Sequence, residues 1–515
     1  AIVIGSGFGG LASAVHLLKK GYEVTLLEAR SEFGGRASVF KKAGFTFDAG
    51  PTVITAPYLI NDLFNSLQED PKNYFELMAI DPFYRIIFND KSVFDYVGEQ
   101  DRIIDNIKQL SPKDVDGFVK LSSHAEKIFD VGYTQLADQP FDTLSSMLRV
   151  APDMIKLKNY RSVYSLVSKY IKDERLRQAF SFEPLLVGGN PQQITSIYLP
   201  IHWLERKWGV HFIKGGTNAL VESIVKLLEK KGAKLYTNAS VEKIEVENHK
   251  VKKVWLTDGR CFAADIVVSN ADPVRTYRDM IDSKHRSIHT DRKLNRKTQS
   301  MSLFVAYFGT NKTYENLAHH TILMGPRYKG LLNDIFQRKV LSEDFSLYLH
   351  APTRTDKSMA PKDKECFYVL SPVPNNLSGI NWNEQEQIYK NKIYQWLEKN
   401  HLPGLTDQLS VDFSITPNYF EHDLQSEHGS AFGIEPSFRQ SAYFRFHNRS
   451  EDVEGLYFVG ANTHPGAGIP GVLNSARVID RLVPSLSKQK MNSKKIIDRK
   501  EHPFSGREEN YEFNL

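Results

Sequence analysis

The chain has 515 residues, of which 41% are hydrophobic and 25% charged, and its net charge is +5. No segment approaches the roughly 20 uninterrupted apolar residues of a membrane helix, and the small net charge gives no reason to expect nucleic-acid binding. Two cysteines, Cys261 and Cys366, cannot form a cysteine metal box and predict a reducing, cytoplasmic location. The chain opens on AIVIGSG without a methionine, so we expect residues ahead of Ala1.

The first predicted elements form a βαβ unit: a strand from 1 to 4, a helix to about 20 and a strand from 23 to 28. The turn between the first strand and the helix is GSGFGG. Gly5 makes the tight turn, Gly7 lets a pyrophosphate approach the backbone, and Gly10 lets the helix pack close to the strand. Glu28 ends the second strand, where its carboxylate can accept hydrogen bonds from a ribose. The unit predicts a dinucleotide site.

Two further blocks follow this unit. EARSEFGGRASVF places Gly34, Gly35 and Arg36 directly after the acid-ended strand, and FDAGPTVI comes next. An arginine beside a glycine pair indicates a phosphate contact.

The segment from 154 to 180 interleaves basic residues with Tyr, Leu, Val and Ile at helical spacing. This pattern is typical of an interfacial helix on a membrane surface, and it is also found in ordinary amphipathic helices on soluble domains.

A third related piece spans about 210 to 272. We predict a helix from 219 to 230 after a glycine pair, strands at 234–236, 241–246 and 251–256, and a buried strand at 265–269. This arrangement predicts that one nucleotide-binding domain is built from segments that are far apart in the sequence.

The second glycine cluster, GANTHPGAGIPG, lies between a predicted strand at 456–459 and a helix from about Pro470. A single long cofactor explains both clusters: the ADP half lies at the N-terminal cluster and the isoalloxazine at the C-terminal one. Because NAD would not need the second cluster, the prediction is FAD.

Internal blocks carry a more specific likeness. RQAFSFEPLLVGGNP, GVHFIKGGTNAL, VVSNADP, FSLYLHAPT, HGSAFGIEP and GANTHPGAGIPGV, together with the N-terminal blocks, resemble the bacterial and fungal type of phytoene desaturase, over residues 1 to about 482. The resemblance implies an α/β, two-dinucleotide-binding-domain flavoprotein, with a discontinuous Rossmann-like FAD domain (1–75, 210–285 and 450–485) and a mixed-sheet substrate domain (76–135 and 286–449). A helical, membrane-facing subdomain (136–209) and a charged tail (486–515), interpreted as disordered or loosely attached, complete the division.

The same resemblance implies function and site. The expected reaction is FAD-dependent, stepwise desaturation of 15-cis-phytoene toward lycopene by a peripheral membrane enzyme. Since no block of the sequence resembles a nicotinamide site, quinone or oxygen is the expected electron acceptor. Expected cofactor contacts on the ADP side are Gly5, Gly7, Gly10, Glu28, Gly34, Gly35, Arg36 and Val241. Those around the flavin are Gly50, Pro51, Thr52, Gly460, Gly468, Ile469, Pro470 and Val472.

Several alternatives stay open. An amine oxidase-like flavoprotein, a C30 carotenoid desaturase or oxidase, a carotenoid isomerase and a non-catalytic prenyl-lipid carrier share parts of the pattern. Desaturation needs a base, and His464 and Glu183 are candidates, although a loop-fixing role suits His464 better and we name no catalytic residue. His319 and His320 lack companions at metal spacing, so no metal is predicted.

Overall fold

The computed structural model describes residues 1–486. From residue 487 onward, the predicted charged tail lies outside the described residues. The strands are short and spread along the whole described chain: β1 (Ile2–Ile4), β2 (Thr25–Leu27), β3 (Val39–Lys42), β4 (Phe45–Asp48), β5 (Leu77–Ala79), β6 (Tyr84–Ile87), β7 (Val93–Tyr96), β8 (His211–Ile213), β9 (Lys234–Tyr236), β10 (Val241–Glu247), β11 (Lys250–Leu256), β12 (Cys261–Ala263), β13 (Val267–Ser269), β14 (Ser302–Thr310), β15 (His320–Leu323), β16 (Leu347–His350), β17 (Glu365–Val373), β18 (Leu409–Ile415) and β19 (Leu456–Phe458).

The α-helices alternate with these strands and cluster in the region between β7 and β8: α1 (Phe8–Lys19), α2 (Pro57–Ser66), α3 (Gln100–Leu110), α4 (Val115–Phe129), α5 (Leu144–Lys156), α6 (Val163–Tyr170), α7 (Glu174–Ala179), α8 (Pro200–Trp208), α9 (Thr217–Lys230), α10 (Pro273–Met280), α11 (Asp291–Leu294), α12 (Tyr328–Asn333), α13 (Trp382–Asn400), α14 (Leu405–Gln408), α15 (Pro417–His422) and α16 (Ile469–Leu482).

A five-stranded parallel sheet holds the two glycine clusters. Its strand order is β19-β13-β1-β2-β9, and every neighbouring pair is parallel. Helices α1, α2, α9 and α16 pack together on one face around a core that includes Leu11, Leu26 and Ile224. Because β1, β13 and β19 come from distant parts of the chain, their carboxyl ends bring the turn after β1 and the loop after β19 to one edge. The predicted strands and helices of this sheet are confirmed, with ends that differ by a few residues.

A seven-stranded mixed sheet forms the second layer, in the order β18-β14-β17-β16-β15-β6-β7. Its β15–β6 pair is parallel and the remaining pairs are antiparallel. One face packs against α4, α6, α7 and the 3-10 turn Glu183–Val187, around buried aromatic residues such as Phe118 and Phe180. A three-stranded sheet, β10-β11-β12, and two two-stranded sheets, β3-β4 and β5-β8, complete the α/β architecture of the described residues.

The segment from 154 to 180 does not form one amphipathic helix. It contains the end of α5, then α6 and α7, because Ser162 and Asp173 cap new helices by accepting hydrogen bonds from the amides of Ser165 and Arg175. The apolar residues of α6, including Leu166 and Val167, are fully buried in the core. This part of the segment therefore faces the protein interior, and the large exposed side chains of the segment are Ile155 on α5 and Tyr160 just after it.

Candidate active site

The first turn of the site is built on close backbone packing. Gly5 has a φ of +86°, and its amide donates to the carbonyl of Leu27. A Cβ on Gly10 would lie 2.0 Å from the Gly5 carbonyl oxygen, so α1 can approach β1 only because residue 10 is glycine. The N-terminus of α1 then points its amide groups at the sheet edge, where they favour an anion.

Glu28 is fixed beside this turn. Its Oε2 accepts hydrogen bonds from the amide of Ser6, at 2.9 Å, and from the Ser6 hydroxyl, and its Oε1 accepts from the amide of Arg30. The Ser6 hydroxyl oxygen in turn accepts from the amide of Gly34, which ties the GGR block to the first turn. The remaining lone pairs of the carboxylate are suited to ribose hydroxyl donors.

Arg36 follows the glycine pair of this block, and its guanidinium donates hydrogen bonds to a distant part of the protein. Its Nε donates to the carbonyl of Ala431 at 2.8 Å, and one terminal nitrogen donates to the Ser426 hydroxyl at 2.9 Å. Burial lowers the pKa of its guanidinium. The residue thus joins the GGR block to the chain at 426–431, and its phosphate contact stays a prediction.

Asn270 is a site residue that sequence reasoning missed. It follows β13, and its side chain lies between the two glycine clusters. A Cβ on Gly9 or on Gly460 would come within 2.6 Å of the Asn270 Oδ1, and one on Gly7 within 2.7 Å of its Nδ2. The signal was available, because VVSN places a polar residue at the end of a buried strand that shares the sheet edge with both clusters.

Thr52 connects the expected flavin side to the seven-stranded sheet. Its hydroxyl lies 3.0 Å from the Tyr348 hydroxyl and 2.7 Å from the Tyr368 hydroxyl. Nearby, a Cβ on Gly50 would lie 1.8 Å from the carbonyl oxygen of Arg36, so the two predicted blocks touch through their backbones.

One continuous cavity of about 860 Å³ joins these parts. Of the sixteen residues predicted to bind the cofactor, all except Gly10 line it, and Gly10 lies behind the turn where it sets the helix packing. Beyond the flavin-side residues, the cavity continues between apolar side chains, which include Phe182, Leu185, Ile201, Leu303, Val305, Ile322, Met324 and Leu370. The glycine-lined backbone at one end and the Glu28 carboxylate fit the phosphates and ribose of a dinucleotide, and the apolar part fits a hydrocarbon.

His464 lines the cavity, and its Nε2 lies 3.1 Å from the carbonyl of Leu136. Burial lowers its pKa to about 4, so the imidazole is neutral at physiological pH. This contact agrees with a loop-fixing role. Glu183 is buried but does not line the cavity, whereas Glu205, which the sequence analysis did not single out, does.

The expectation that His319 and His320 lack a companion was wrong. Both are buried, and His350 from the neighbouring strand lies beside them, with 3.0 Å between the Nε2 atoms of His319 and His350. The Nδ1 atom of His320 lies 2.6 Å from the Tyr348 hydroxyl. The three rings meet because β15 and β16 pair with His320 opposite His350.

Within residues 1–486, no helix combines the length and apolar character needed to cross a bilayer.

Known proteins share both the fold and the sequence. The family model for flavin containing amine oxidoreductases matches residues 8–365. The phytoene desaturase (lycopene-forming) of Pantoea ananas is 48% identical over 476 residues, which is 92% of this chain and 97% of that protein. The corresponding protein of Pseudescherichia vulneris is 46% identical over 94% of this chain and 98% of its own length.

Among solved structures, cyclohexylamine oxidase from Brevibacterium oxydans superposes with a TM-score of 0.59 at 14% identity, over 93% of this chain and 97% of that one. At that identity the likeness concerns the fold alone. The match of the family model over most of the chain, the identities of 46–48% and the glycine-lined cavity lead to one conclusion: the chain is an FAD-dependent oxidoreductase that belongs to the phytoene desaturase family of carotenoid desaturases.

Proposed function

We propose that this protein desaturates 15-cis-phytoene stepwise toward lycopene at a membrane surface. The main support for the proposal is that one cavity is continuous from the two glycine clusters, where a dinucleotide would bind, to a channel lined by apolar side chains. Bound FAD would supply the two-electron acceptor for a hydride. The tasks left to the polypeptide are to align a hydrocarbon, to exclude water and to remove a proton.

Alignment has to come from shape and burial, since a polyene offers no polar group to bind. The side chains of Leu303, Val305 and Met324 come from β14 and the end of β15, so the seven-stranded sheet forms one rigid wall of the channel. Burial of apolar surface is worth about 25 cal/mol per Å² from water, but much less for a substrate that leaves a lipid bilayer. The path by which the substrate enters the channel from the bilayer therefore matters more than its binding free energy.

The ADP side would be held by backbone and by a few polar groups. Gly5, Gly7 and the start of α1 would face the pyrophosphate, and Glu28 the ribose. Val241, at the start of β10, lines the cavity and is proposed to contact the adenine. The division of the chain into FAD, substrate and helical domains stays a proposal with the boundaries given above.

Helix α5 is the element proposed to contact lipid. Leu144, Leu148 and Ile155 fall on one face of the helix and are 57%, 64% and 67% exposed. Met147 and Met154 on the adjacent face line the cavity, and Ile155 lines it as well. An apolar surface on one side and an apolar channel on the other are what a bilayer-borne substrate requires.

The neighbouring chain enlarges this apolar surface. The 3-10 turn Ala442–Phe444 packs against α5, and Phe438 and Phe444 are exposed at 58% and 42%. Arg149 and Lys156 on α5 are also exposed, where their charges would attract anionic lipid headgroups.

A C30 carotenoid desaturase is the second candidate for the substrate, because the same apolar channel would accept a shorter polyene. Quinone or oxygen is the proposed terminal electron acceptor.

The test is anaerobic incubation of the FAD-loaded protein with 15-cis-phytoene in liposomes, with and without added quinone, followed by absorption spectroscopy and chromatography. We expect coloured product that depends on quinone, with a chromophore length that counts the steps. Turnover of a C30 substrate in place of phytoene would favour the second candidate. Bound flavin without turnover of any polyene would contradict the proposal and revive the lipid-carrier alternative.

A further inference from the structure

A pair of buried carboxyl groups lies at the wall of the apolar channel. Glu205 is on α8 and Glu183 begins the 3-10 turn Glu183–Val187, and the two side chains are 1% and 2% exposed. Burial raises the pKa of Glu183, and the nearby charge of Glu205 raises it further. Two carboxylates can share such a site only if one of them holds a proton.

The surroundings distinguish the two groups. The Tyr84 hydroxyl donates to the Glu205 Oε1 at 2.6 Å, and this hydrogen bond stabilises the ionised form of Glu205. The Oε2 atom of Glu205 is buried and accepts no hydrogen bond from any residue in the described range 1–486. Burial raises the pKa of Glu183 well above its ordinary value and that of Glu205 to about 7. Glu183 therefore holds the proton, and Glu205 changes between its two forms near neutral pH.

Other groups that face the pair leave this assignment unchanged. Tyr96 and His202 pack against each other beside it, and burial keeps the pKa of His202 well below its ordinary value, so the ring is neutral. Arg206, the next residue on α8, turns away and donates to Ser122. Behind Tyr84, the ring of His320 lies 5.8 Å away and is neutral because burial lowers its pKa.

The other buried acidic residues that line the cavity each accept a hydrogen bond from a backbone amide, although the Oδ2 atom of Asp48 has no partner among residues 1–486. Glu28 and Asp48 accept hydrogen bonds from backbone amides, and Asp272 caps α10. Asp423 is exposed to solvent. Within residues 1–486, Glu205 is the buried cavity-lining carboxylate with no backbone amide donating to it. It lies beside Leu204 and Ile201, in the apolar part of the cavity.

We propose that Glu205 is the base that takes the proton in each desaturation step, with Glu183 as the neighbouring carboxyl group that stays protonated. The proposal rests on the proposed function. When bound, FAD would supply the oxidant of each step by accepting one hydrogen of the polyene as hydride, with the electron pair of the C–H bond that breaks. The neighbouring C–H bond breaks toward Glu205, its electron pair forms the new C=C bond, and the carboxylate becomes a carboxylic acid. The substrate loses two electrons and two hydrogens, and FAD is reduced by the same two electrons.

The first test compares Glu205→Gln with the wild type in single-turnover reactions on phytoene liposomes. We expect the rate of polyene desaturation to fall by about 10²- to 10⁴-fold, with FAD affinity and Tm unchanged. Glu222→Gln on α9, where the glutamate is exposed and lies outside the cavity lining, is the matched control and should leave the rate unchanged. Glu205→Asp, which keeps a carboxylate but shortens it, should retain more activity than Glu205→Gln.

The pH dependence gives a readout that a merely structural role would not change. The wild-type rate should rise with pH through a midpoint near 7, and Tyr84→Phe should move that midpoint upward because a stabilising donor is lost. A second readout needs no turnover: infrared difference spectra of the cofactor-free protein should contain a buried carboxyl band that titrates near pH 7 and disappears in Glu205→Gln.

Wild-type rate and pH profile in a folded Glu205→Gln variant would overturn this proposal and leave the proposed function standing. A carboxyl band that titrates unchanged in that variant would also overturn it. If the wild type turns over a C30 polyene instead of phytoene, the same comparison is made on that substrate. If the wild type turns over no polyene, the proposed function fails, and the role of Glu205 fails with it.

Discussion

Gly10 is the residue at which the dinucleotide turn tolerates the least change. In Gly10→Ala the new Cβ would lie 2.0 Å from the Gly5 carbonyl oxygen, so α1 must move away from β1. We expect a loss of about 1–3 kcal/mol in stability and weaker FAD binding, measured by chemical denaturation and by titration of flavin fluorescence. Gly232→Ala is the control, because its Cβ has open space around it and only the left-handed backbone is strained. Equal FAD affinity in Gly10→Ala and the wild type would contradict this prediction.

The second prediction about individual residues concerns the buried histidines His319, His320 and His350. The His319 and His350 Nε2 atoms lie 3.0 Å apart, and such a hydrogen bond requires a proton on one of them. A metal would need both lone pairs, so we expect the purified protein to contain far less than one equivalent of transition metal by mass spectrometry. Stoichiometric zinc that is lost in His350→Gln, but kept in the surface control His285→Gln, would show that the prediction is wrong.

At the scale of residues, local contacts could be predicted and distant ones could not. Gly5, Gly10 and Glu28 act within one βαβ unit, so their roles can be inferred from their spacing in the sequence. Asn270 and Glu205 reach the cavity only after strands and helices far apart in the sequence have packed together. Which distant strands and helices pack together cannot be inferred from a single sequence.

At the scale of elements, the strands of the parallel sheet could be predicted because they are apolar and bounded by glycine or acidic residues. The segment 154–180 could not be assigned correctly, because its helical spacing does not say which apolar side chains are buried by distant partners. Leu166 and Val167 fill the core below the seven-stranded sheet, and the exposed apolar face belongs to α5 instead.

This reassignment makes a prediction about α5. Replacing both Leu144 and Leu148 by serine removes two large exposed side chains that do not line the cavity, since they are 57% and 64% exposed. We expect binding to anionic liposomes in a flotation assay to fall at least tenfold, with Tm changed by no more than a few degrees. Val119→Ser on α4, where the side chain is 46% exposed, is the matched control and should leave binding unchanged. Equal flotation of the double variant and the wild type would contradict a lipid contact through α5.

At the scale of the whole molecule, stability should depend on pH through Asp48, which joins the strand β4 to the start of α9. Its Oδ1 accepts a hydrogen bond from the Thr217 amide at 2.7 Å, but its buried Oδ2 has no partner within the part of the chain that the structure describes. Burial raises its pKa from 3.8 to about 7. The folded protein therefore binds this proton more tightly than the unfolded chain, and this residue costs stability as pH rises from about 4 to about 7.

Asp48→Asn keeps the acceptor for Thr217 and removes the titration. The variant should match the wild type near pH 4 and become more stable as pH rises, by at most about 4 kcal/mol above pH 7, at 1.36 kcal/mol per pKa unit. Urea unfolding of the cofactor-free proteins between pH 4.5 and 8 measures the difference. Asp452 provides the contrast, because hydrogen bonds from the amides of Ile288 and His289 help to hold its pKa below the ordinary value. Asp452→Asn should therefore lose stability at neutral pH and lose less as pH falls below about 4. A difference between Asp48→Asn and the wild type that does not change with pH would mean that Asp48 is ionised in the folded protein, and the buried Oδ2 would then need a cation or a water that compensates its charge.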